Sequence, residues 1–382
     1  MGQSYDVIVA GGSIAGLTFA AEAAKKGASV LVFEEHEEIG EPEKCDGLVS
    51  LRGLRKFGYP PRAEVVQSKI TSAVVHSPSD RRLNLNAASL EVVVLDMSGF
   101  DKQVAEAASA SGAQIVTGTR VAGSHDKVDG VEVRAGKDVL HARYFVDATG
   151  PSSSPRRGIL PAAKYEVEGD WILDHTVEVF LDAVKYPGFF AWVIPFGDRR
   201  AKVGAAGFGT SPFRALDEFL AARKVKVLRK VSAPIYVGGP APSFGAGNTL
   251  FVGESAGQVK PTTAGGIMTS IAGAVLAAKW VCASLREGRR SPVNRYQEDW
   301  ESAFLKEMKS MLRLRGVFEK LSNGDLDGIV AALAAPKLTQ KLSGSDFDFH
   351  ASAILGALGV PGLLRVARVV ASAEVRSLLS ES

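Results

Sequence analysis

The sequence predicts an α/β fold, and three strand-to-glycine turns carry that prediction. Residues Asp6 to Ala10 form a short apolar strand that runs directly into Gly11-Gly12-Ser13-Ile14-Ala15-Gly16 and a small-residue helix ending near Gly27. A second apolar strand, Ala142 to Ala148, leads into Asp147-Ala148-Thr149-Gly150-Pro151-Ser152-Ser153, with Arg156 just after. A third, Thr249 to Val252, leads into Gly253-Glu254-Ser255-Ala256-Gly257, then Pro261, and then Ala264-Gly265-Gly266-Ile267 at the head of a long helix.

The first turn, followed by the apolar run Ser29 to Phe33 and Glu34, has the layout of a dinucleotide-binding βαβ unit. In such a unit glycines let the backbone approach a pyrophosphate lying on the helix N-terminus. Candidate residues are therefore Gly11, Gly12, Ser13, Ala15 and Gly16, with Glu34, 23 residues beyond Gly11, accepting ribose hydroxyls. Ser13 stands where the pattern usually has its middle glycine.

Composition bounds the rest. The 382 residues are 46% hydrophobic and 23% charged, which suits one composite domain or two and excludes a disordered or collagen-like chain. A balance of 45 basic against 42 acidic residues, net +3, gives no case for nucleic acid. Cys45 and Cys282 cannot make a disulfide framework, and six scattered histidines show no zinc-site spacing. The expectation is a reduced, cytoplasmic protein without signal peptide or metal. Its apolar uncharged stretches Ala264 to Ala278 and Ala351 to Leu364 fall short of the about 18 to 20 apolar residues that span a bilayer.

Between the first two turns, Leu95-Asp96-Met97-Ser98-Gly99-Phe100-Asp101 precedes an Ala-rich helix, and Gly118-Thr119-Arg120-Val121 reads as a strand. The order and spacing of the three turns resemble the FAD-binding domain of the para-hydroxybenzoate hydroxylase class of flavoproteins. That resemblance implies FAD as cofactor, with contacts at Gly150, Gly253 and Glu254, and backbone hydrogen bonds to adenine from Val121. Glu254 replaces the usual aspartate of the third turn, and Met97 stands where an arginine is frequent. Gly265, Gly266 and Ile267 would aim backbone N–H groups at the flavin edge, where negative charge accumulates on reduction.

After Glu34 comes a polar loop, Ile39-Gly40-Glu41-Pro42-Glu43-Lys44-Cys45-Asp46-Gly47. In the same class this loop faces the flavin, which makes Lys44, Cys45, Asp46 and Gly47 cofactor-site candidates and Cys45 the catalytic candidate. The adjacent Lys44 favours thiolate character if the sulfur is exposed. Farther on, Pro187-Gly188-Phe189-Phe190-Ala191-Trp192-Val193-Ile194-Pro195 alternates in strand fashion, so Phe190, Trp192 and Ile194 share a face. That face is either the core side of a sheet or an apolar wall beside the flavin.

The Lys44-Cys45 loop and this Pro-x-x-aromatic-x-Trp strand resemble archaeal geranylgeranyl reductases, including digeranylgeranylglycerophospholipid reductases, over most of the first 290 residues. Phe190 replaces the family tyrosine and Ile194 its phenylalanine. The resemblance implies an FAD-dependent reductase saturating prenyl double bonds of membrane lipid precursors, with Phe190, Trp192, Ile194 and Pro195 at the substrate. The same strand also resembles the Trp-x-Trp-x-Ile-Pro motif of flavin-dependent halogenases, for which Lys69 or Lys202 would be the relay, so a flavin-dependent halogenase or monooxygenase is the alternative. A prenyl-lipid-binding flavoprotein without catalysis is the third reading.

For a reductase the substrate partner is a prenyl lipid, and the electron donor is NAD(P)H, ferredoxin or a small reductant, since no second nicotinamide fingerprint follows a strand. Cys45 either donates the proton or positions the chain or a water. From Pro292 onward the pattern is helical, with Phe304, Met308, Met311 and Leu312 beside Lys306, Lys309, Arg313 and Arg315, a stripe that either packs on the parent domain or meets an anionic membrane surface. Ile354 to Leu379 repeats the helical pattern around a break at Gly359-Val360-Pro361-Gly362. The expected organisation is a discontinuous FAD domain (1–75, 96–165 and 248–290), an inserted antiparallel β-sheet substrate domain (76–95 and 166–247) and a helical C-terminal region (291–382).

Overall fold

The computed structural model describes residues 4–151, 158–288 and 292–343. Ser152, Ser153 and Arg156 of the second turn, and the segment Ile354 to Leu379, lie outside the described residues. The helices are α1 (Ile14–Lys25), α2 (Leu51–Lys56), α3 (Met97–Ala110), α4 (Pro212–Ala221), α5 (Ile267–Glu287), α6 (Val293–Phe318), α7 (Asn323–Leu333) and α8 (Pro336–Ser343).

The first sheet pairs Thr249–Phe251, Asp138–Asp147, Ser4–Ala10, Val30–Phe33 and Gln114–Val116 in parallel, in that order. Its central strands read as unbroken apolar runs because helices cover them, as parallel sheets require. Strand Val30–Phe33, for example, is buried at every residue. Helix α1, rich in alanine, packs close to α5, and α5 in turn carries α6. By length and composition α5 could cross a membrane, but most of its residues are buried among these helices, so it is a core helix. On α6, Tyr296, Trp300, Phe304, Met308 and Met311 are buried in the same core. Leu312 meets Gly239, and the Arg315 guanidinium is buried with hydrogen bonds to the carbonyls of Gly188 and Pro261. The stripe thus packs on the parent domain.

The second sheet orders its strands Lys226–Ser232, Ala162–Glu168, Arg200–Ala206, Ala191–Gly197, Thr176–Phe180, Ser72–His76 and Arg82–Asn86. All pairs are antiparallel except Thr176–Phe180 with Ser72–His76, which run parallel. One face packs Tyr165, Val193 and Val203 on Leu216 and Leu220 of α4, a helix that interrupts the otherwise strand-like middle of the chain. Helices α7 and α8 lie over the edge strand Arg82–Asn86, covering backbone groups that would otherwise be open to pairing.

The expected segment boundaries shift in four places. Strands Ser72–His76 and Ala162–Glu168 belong to the second sheet although both begin in segments assigned to the FAD domain. Val92–Leu95 leaves the second sheet for a small one with Leu48–Ser50 and Val66–Ile70. Gly245–Ala246 pairs with Thr249–Phe251 in the first sheet. Gly118 to Arg120 is a turn, with Gly118 at φ +65°, and the strand begins at Val121.

Candidate functional site

A continuous cavity of about 1180 Å³ runs from the first glycine turn, past the Cys45 loop, to α7 and α8. At its polar end the strand Ser4–Ala10 delivers Gly11 at φ +104°, where an added Cβ would stand 2.5 Å from the Ala148 carbonyl oxygen. Only glycine permits that approach of the first turn to the second. A Cβ on Gly16 would come within 2.0 Å of the Gly11 carbonyl oxygen, so Gly16 sets the packing of α1 under the turn and does not line the cavity. Ser13, at the N-cap of α1, faces the cavity, and its side chain makes no capping bond. Glu34 Oε2 accepts the Gly12 N–H at 2.6 Å, and Oε1 accepts the His36 N–H at 3.1 Å.

Ala15, Val121, Gly150, Gly265, Gly266 and Ile267 also line the cavity. Gly253 does not: it stands at φ +65° where a Cβ would meet that of Ala15 at 2.7 Å, and its N–H is held by Gln258. Its place is between the third turn and α1. Glu254 does face the cavity, and among the described residues no donor reaches its carboxylate. Burial lifts it to about 7, with Lys44 acting against that from across the cavity. A half-buried carboxyl facing the cavity beside a cradle that glycines alone can shape fits a ligand that brings its own hydroxyl groups, as FAD does.

Asp101 of α3 also borders the cavity, an acid the sequence pattern did not single out. Desolvation, with Glu34 and Glu43 near, lifts its carboxyl to about 8 against one hydrogen bond from the Ile14 N–H. The folded protein therefore keeps a proton that the unfolded chain releases from about pH 4 upward, and stability falls as pH rises toward 8. Replacing Asp101→Asn is expected to raise the melting temperature at pH 8 and leave it nearly unchanged at pH 4.5, because each pH unit climbed in that window costs the wild type up to about 1.4 kcal/mol. Equal destabilisation at both pH values in thermal melts would refute this.

The Cys45 loop crosses the middle of the cavity. Cys45 is exposed to the open space of the cavity, and desolvation by the surrounding walls, with Asp46 beside it, pushes the thiol up to about 11. The cations that favour the anion are Lys164 and Lys202, helped by the Gly47 N–H, while desolvation and Asp46 oppose it. Gly47, at φ +77° with a Cβ position 2.2 Å from the Leu95 carbonyl oxygen, fixes the turn after the sulfur.

Phe190, Trp192 and Ile194 line the cavity from the second sheet, the face that alternation predicted. Pro195 does not; it points to the opposite side, the α4 face, and the period that aligns the other three excludes it. The Trp192 Nε1–H donates to Asp46 Oδ2 at 2.8 Å, and its ring lies over Gly204, where a Cβ would be 2.1 Å from a ring carbon. Replacing Gly204→Ala is expected to displace the ring, break its bond to Asp46 and cost about 1–3 kcal/mol by overpacking; an unshifted tryptophan fluorescence maximum and melting temperature would count against it.

Sequence reasoning missed the purpose of two lysines. Cross-strand pairing sets Lys164, Gly204, Trp192, Val179, Val75 and Leu83 in one row across the sheet. The row begins in charge under the Cys45 loop and ends in hydrocarbon under α7. Glu166 and Glu168 share the beat of Lys164 and Arg200 that of Lys202, so each strand reads as a solvent face and no local signal marks these lysines as buried. Lys202, one of the two relay lysines of the halogenase reading, is buried with Glu43 at 2.5 Å, and the other, Lys69, does not line the cavity.

Comparison with known proteins adds the following. The profile of the FAD dependent oxidoreductase family matches residues 6–153. A digeranylgeranylglycerophospholipid reductase 2 from Methanothermobacter thermautotrophicus is 30% identical over 361 residues, covering 88% of this chain and 94% of the relative. A digeranylgeranylglycerophospholipid reductase 2 from Methanopyrus kandleri is 28% identical, covering 96% and 99%. Among solved structures, a geranylgeranyl bacteriochlorophyll reductase-like protein from Thermoplasma acidophilum superposes with a TM-score of 0.87 at 22% identity, covering 96% of this chain and 99% of that one. The flavin-dependent brominase Bmp2 superposes at 0.70 and 15% identity, over 98% and 100%; both likenesses show the fold.

Proposed function

The chain belongs to the digeranylgeranylglycerophospholipid reductase family, and from that membership we propose that its cavity seats FAD at the glycine-lined end and a prenyl chain along the face of the second sheet, the two meeting at Cys45. It is an FAD-dependent reductase that saturates carbon–carbon double bonds of geranylgeranyl lipids. The single observation that carries the site reading is the continuity of the cavity: the space that begins at Gly11 ends among Val75, Leu83, Val179, Leu333 and Leu342 without an intervening wall.

Gly11, Gly12, Ser13, Glu34, Val121, Gly150 and Glu254 would hold the cofactor, and Gly265, Gly266 and Ile267 would present the uncapped start of α5 to it. When bound, the flavin supplies the hydride of the reduction. The chain's own residues do the rest. The apolar end strips water from the lipid and holds it by burial. Phe190 stacks on Phe189 at 4.1 Å and meets Trp192 edge-on at 6.0 Å, so aromatic faces border the path of the chain. Positive character developing on an alkene carbon near them would be stabilised by about 1–2 kcal/mol. Cys45, protonated up to about pH 11, keeps a proton at Sγ within the same space.

The test is anaerobic incubation of the dithionite-reduced protein with an unsaturated archaeal-type prenyl glycerolipid, followed by mass spectrometry for added hydrogen pairs. Dithionite bypasses the natural donor, so the experiment reads the lipid step alone. Saturation is expected; a reducible bound flavin with no added hydrogen would overturn the reading for this lipid. A peripheral position on the inner face of the membrane would suit a substrate whose chains lie in the bilayer, and co-sedimentation with vesicles tests it.

A further inference from the structure

Two ammonium groups are buried beneath the Cys45 loop, each with its side chain 1% exposed. Burying a lysine is costly unless its charge is matched, so a pair of them on neighbouring strands calls for an account. Lys202 Nζ lies 2.5 Å from Glu43 Oε1 and donates to the carbonyls of Asp46 and Leu95 at 3.3 Å each. Lys164 Nζ donates to the Cys45 carbonyl at 2.8 Å, and its nearest carboxylates are farther, Glu43 at 3.7 Å and Asp46 at 3.8 Å. The strongest contact of Lys164 is therefore to the backbone of the cysteine itself. Asp46 Oδ1 is buried without a hydrogen bond while Oδ2 accepts from Trp192, so the loop is pinned from the sheet with Glu43, Cys45 and Asp46 as anchors.

We propose that Lys164 and Lys202 are positioning residues of the reduction: they hold the Glu43–Gly47 loop so that the Cys45 sulfur faces the cavity, and their charge stabilises that sulfur when its proton leaves. The inference rests on the reductase reading and deepens it. In the step concerned, the S–H bond breaks, its electron pair stays on sulfur, and the proton bonds to one alkene carbon through the π electron pair; the other carbon takes the hydride named above. The thiolate is then met by the Gly47 N–H and by the two ammonium groups until solvent returns a proton. The charged groups that act on the sulfur are Asp46 of its own loop and Lys164 and Lys202 of the sheet, with Glu43 paired to both lysines. Sheet and loop thus oppose two ammonium groups to two carboxylates, while the adjacent Lys44 is exposed and its charge acts on Glu254.

The test uses the flavin-loaded protein without lipid, so that it is independent of substrate. Cys45 is alkylated with iodoacetamide between pH 8 and 10.5, and the Cys45 peptide is followed by mass spectrometry, which separates it from buried Cys282. In Lys164→Met the Cys45 rate at a given pH is expected to fall about tenfold, the loss of thiolate that follows when the thiol's pKa rises by about one. Lys164→Arg is expected to recover most of it. Where Lys202→Met fails to fold with Glu43 left unpaired, the double variant Lys202→Met with Glu43→Gln removes both charges and is expected to show the same fall. A folded, flavin-loaded Lys164→Met protein with an unchanged alkylation profile would overturn the proposal. So would a profile that falls in the methionine variant while lipid turnover stays at the wild-type rate. If the wild type fails to saturate the lipid yet the fall in alkylation is present, the function reading fails and the loop clamp stands.

Discussion

Replacing Cys45→Ala is expected to lower the rate of lipid saturation by about 100-fold or more, the usual share of a positioned proton donor, while the visible spectrum of bound flavin and its reduction by dithionite are kept. The argument is geometric first. The sulfur faces the cavity at the point where its polar and apolar ends join. An isolated alkene needs a proton as well as a hydride, because hydride alone would leave a carbanion with nothing to stabilise it, and the thiol stands where the two ends meet. The measurement is single-turnover decay of reduced flavin absorbance on adding lipid, under argon. A variant within threefold of wild type would move the proton source elsewhere and leave Cys45 a wall of the cavity.

The same assignment fixes a pH dependence. A thiol raised to about 11 stays protonated through the neutral range, so its contribution to the rate should be level from about pH 6 to 9 and fall only as pH approaches 11. An ordinary exposed thiol would place the falling limb near about 8.5. A thiol of such weak acidity can serve only if its proton moves together with the hydride, so that no full carbocation has to form first. The buried ammonium groups and the Gly47 N–H lower the cost of the anion left behind.

The fold was legible wherever a residue type answers to one backbone need. Gly11 could be read because its φ and its approach to Ala148 admit nothing larger, and Phe190, Trp192 and Ile194 because strand period alone sets their face. The errors share a cause. Gly16 and Gly253 match the cofactor fingerprint but act on helix packing, which a motif cannot tell apart from ligand contact. Pro195 was carried by a motif against its own alternation. Thiolate character at Cys45 was tied to its neighbour Lys44, whereas the cations that act on the thiol are Lys164 and Lys202 of the sheet. Lys164 and Glu43 come together from positions 121 residues apart in sequence, and no local pattern announces such a pairing.

Introducing a large ring halfway along the apolar path should convert the enzyme from long-chain to short-chain substrates. Val179 sits between Trp192 and Val75 in the cross-strand row, half-buried and facing the cavity, so Val179→Trp projects its indole into the space the prenyl chain would occupy. The Cys45 loop and the glycine turns are untouched, and flavin content should remain at one per chain. The expected result is a fall of about tenfold or more in kcat/KM for geranylgeranyl lipids relative to a geranyl analogue, since each poorly accommodated methylene is worth about 1–3 kcal/mol. Leu333→Trp, at the far wall on α7, should spare the double bonds nearest the entry to the cofactor and suppress only the addition of the last hydrogen pairs. Mass spectra of partially saturated products distinguish the two variants, because a mid-path block lowers every added pair while a far-wall block truncates the series. If both variants reduced long and short chains in the wild-type ratio, the chain would have to lie outside this cavity, and the row from Lys164 to Leu83 would be core packing alone.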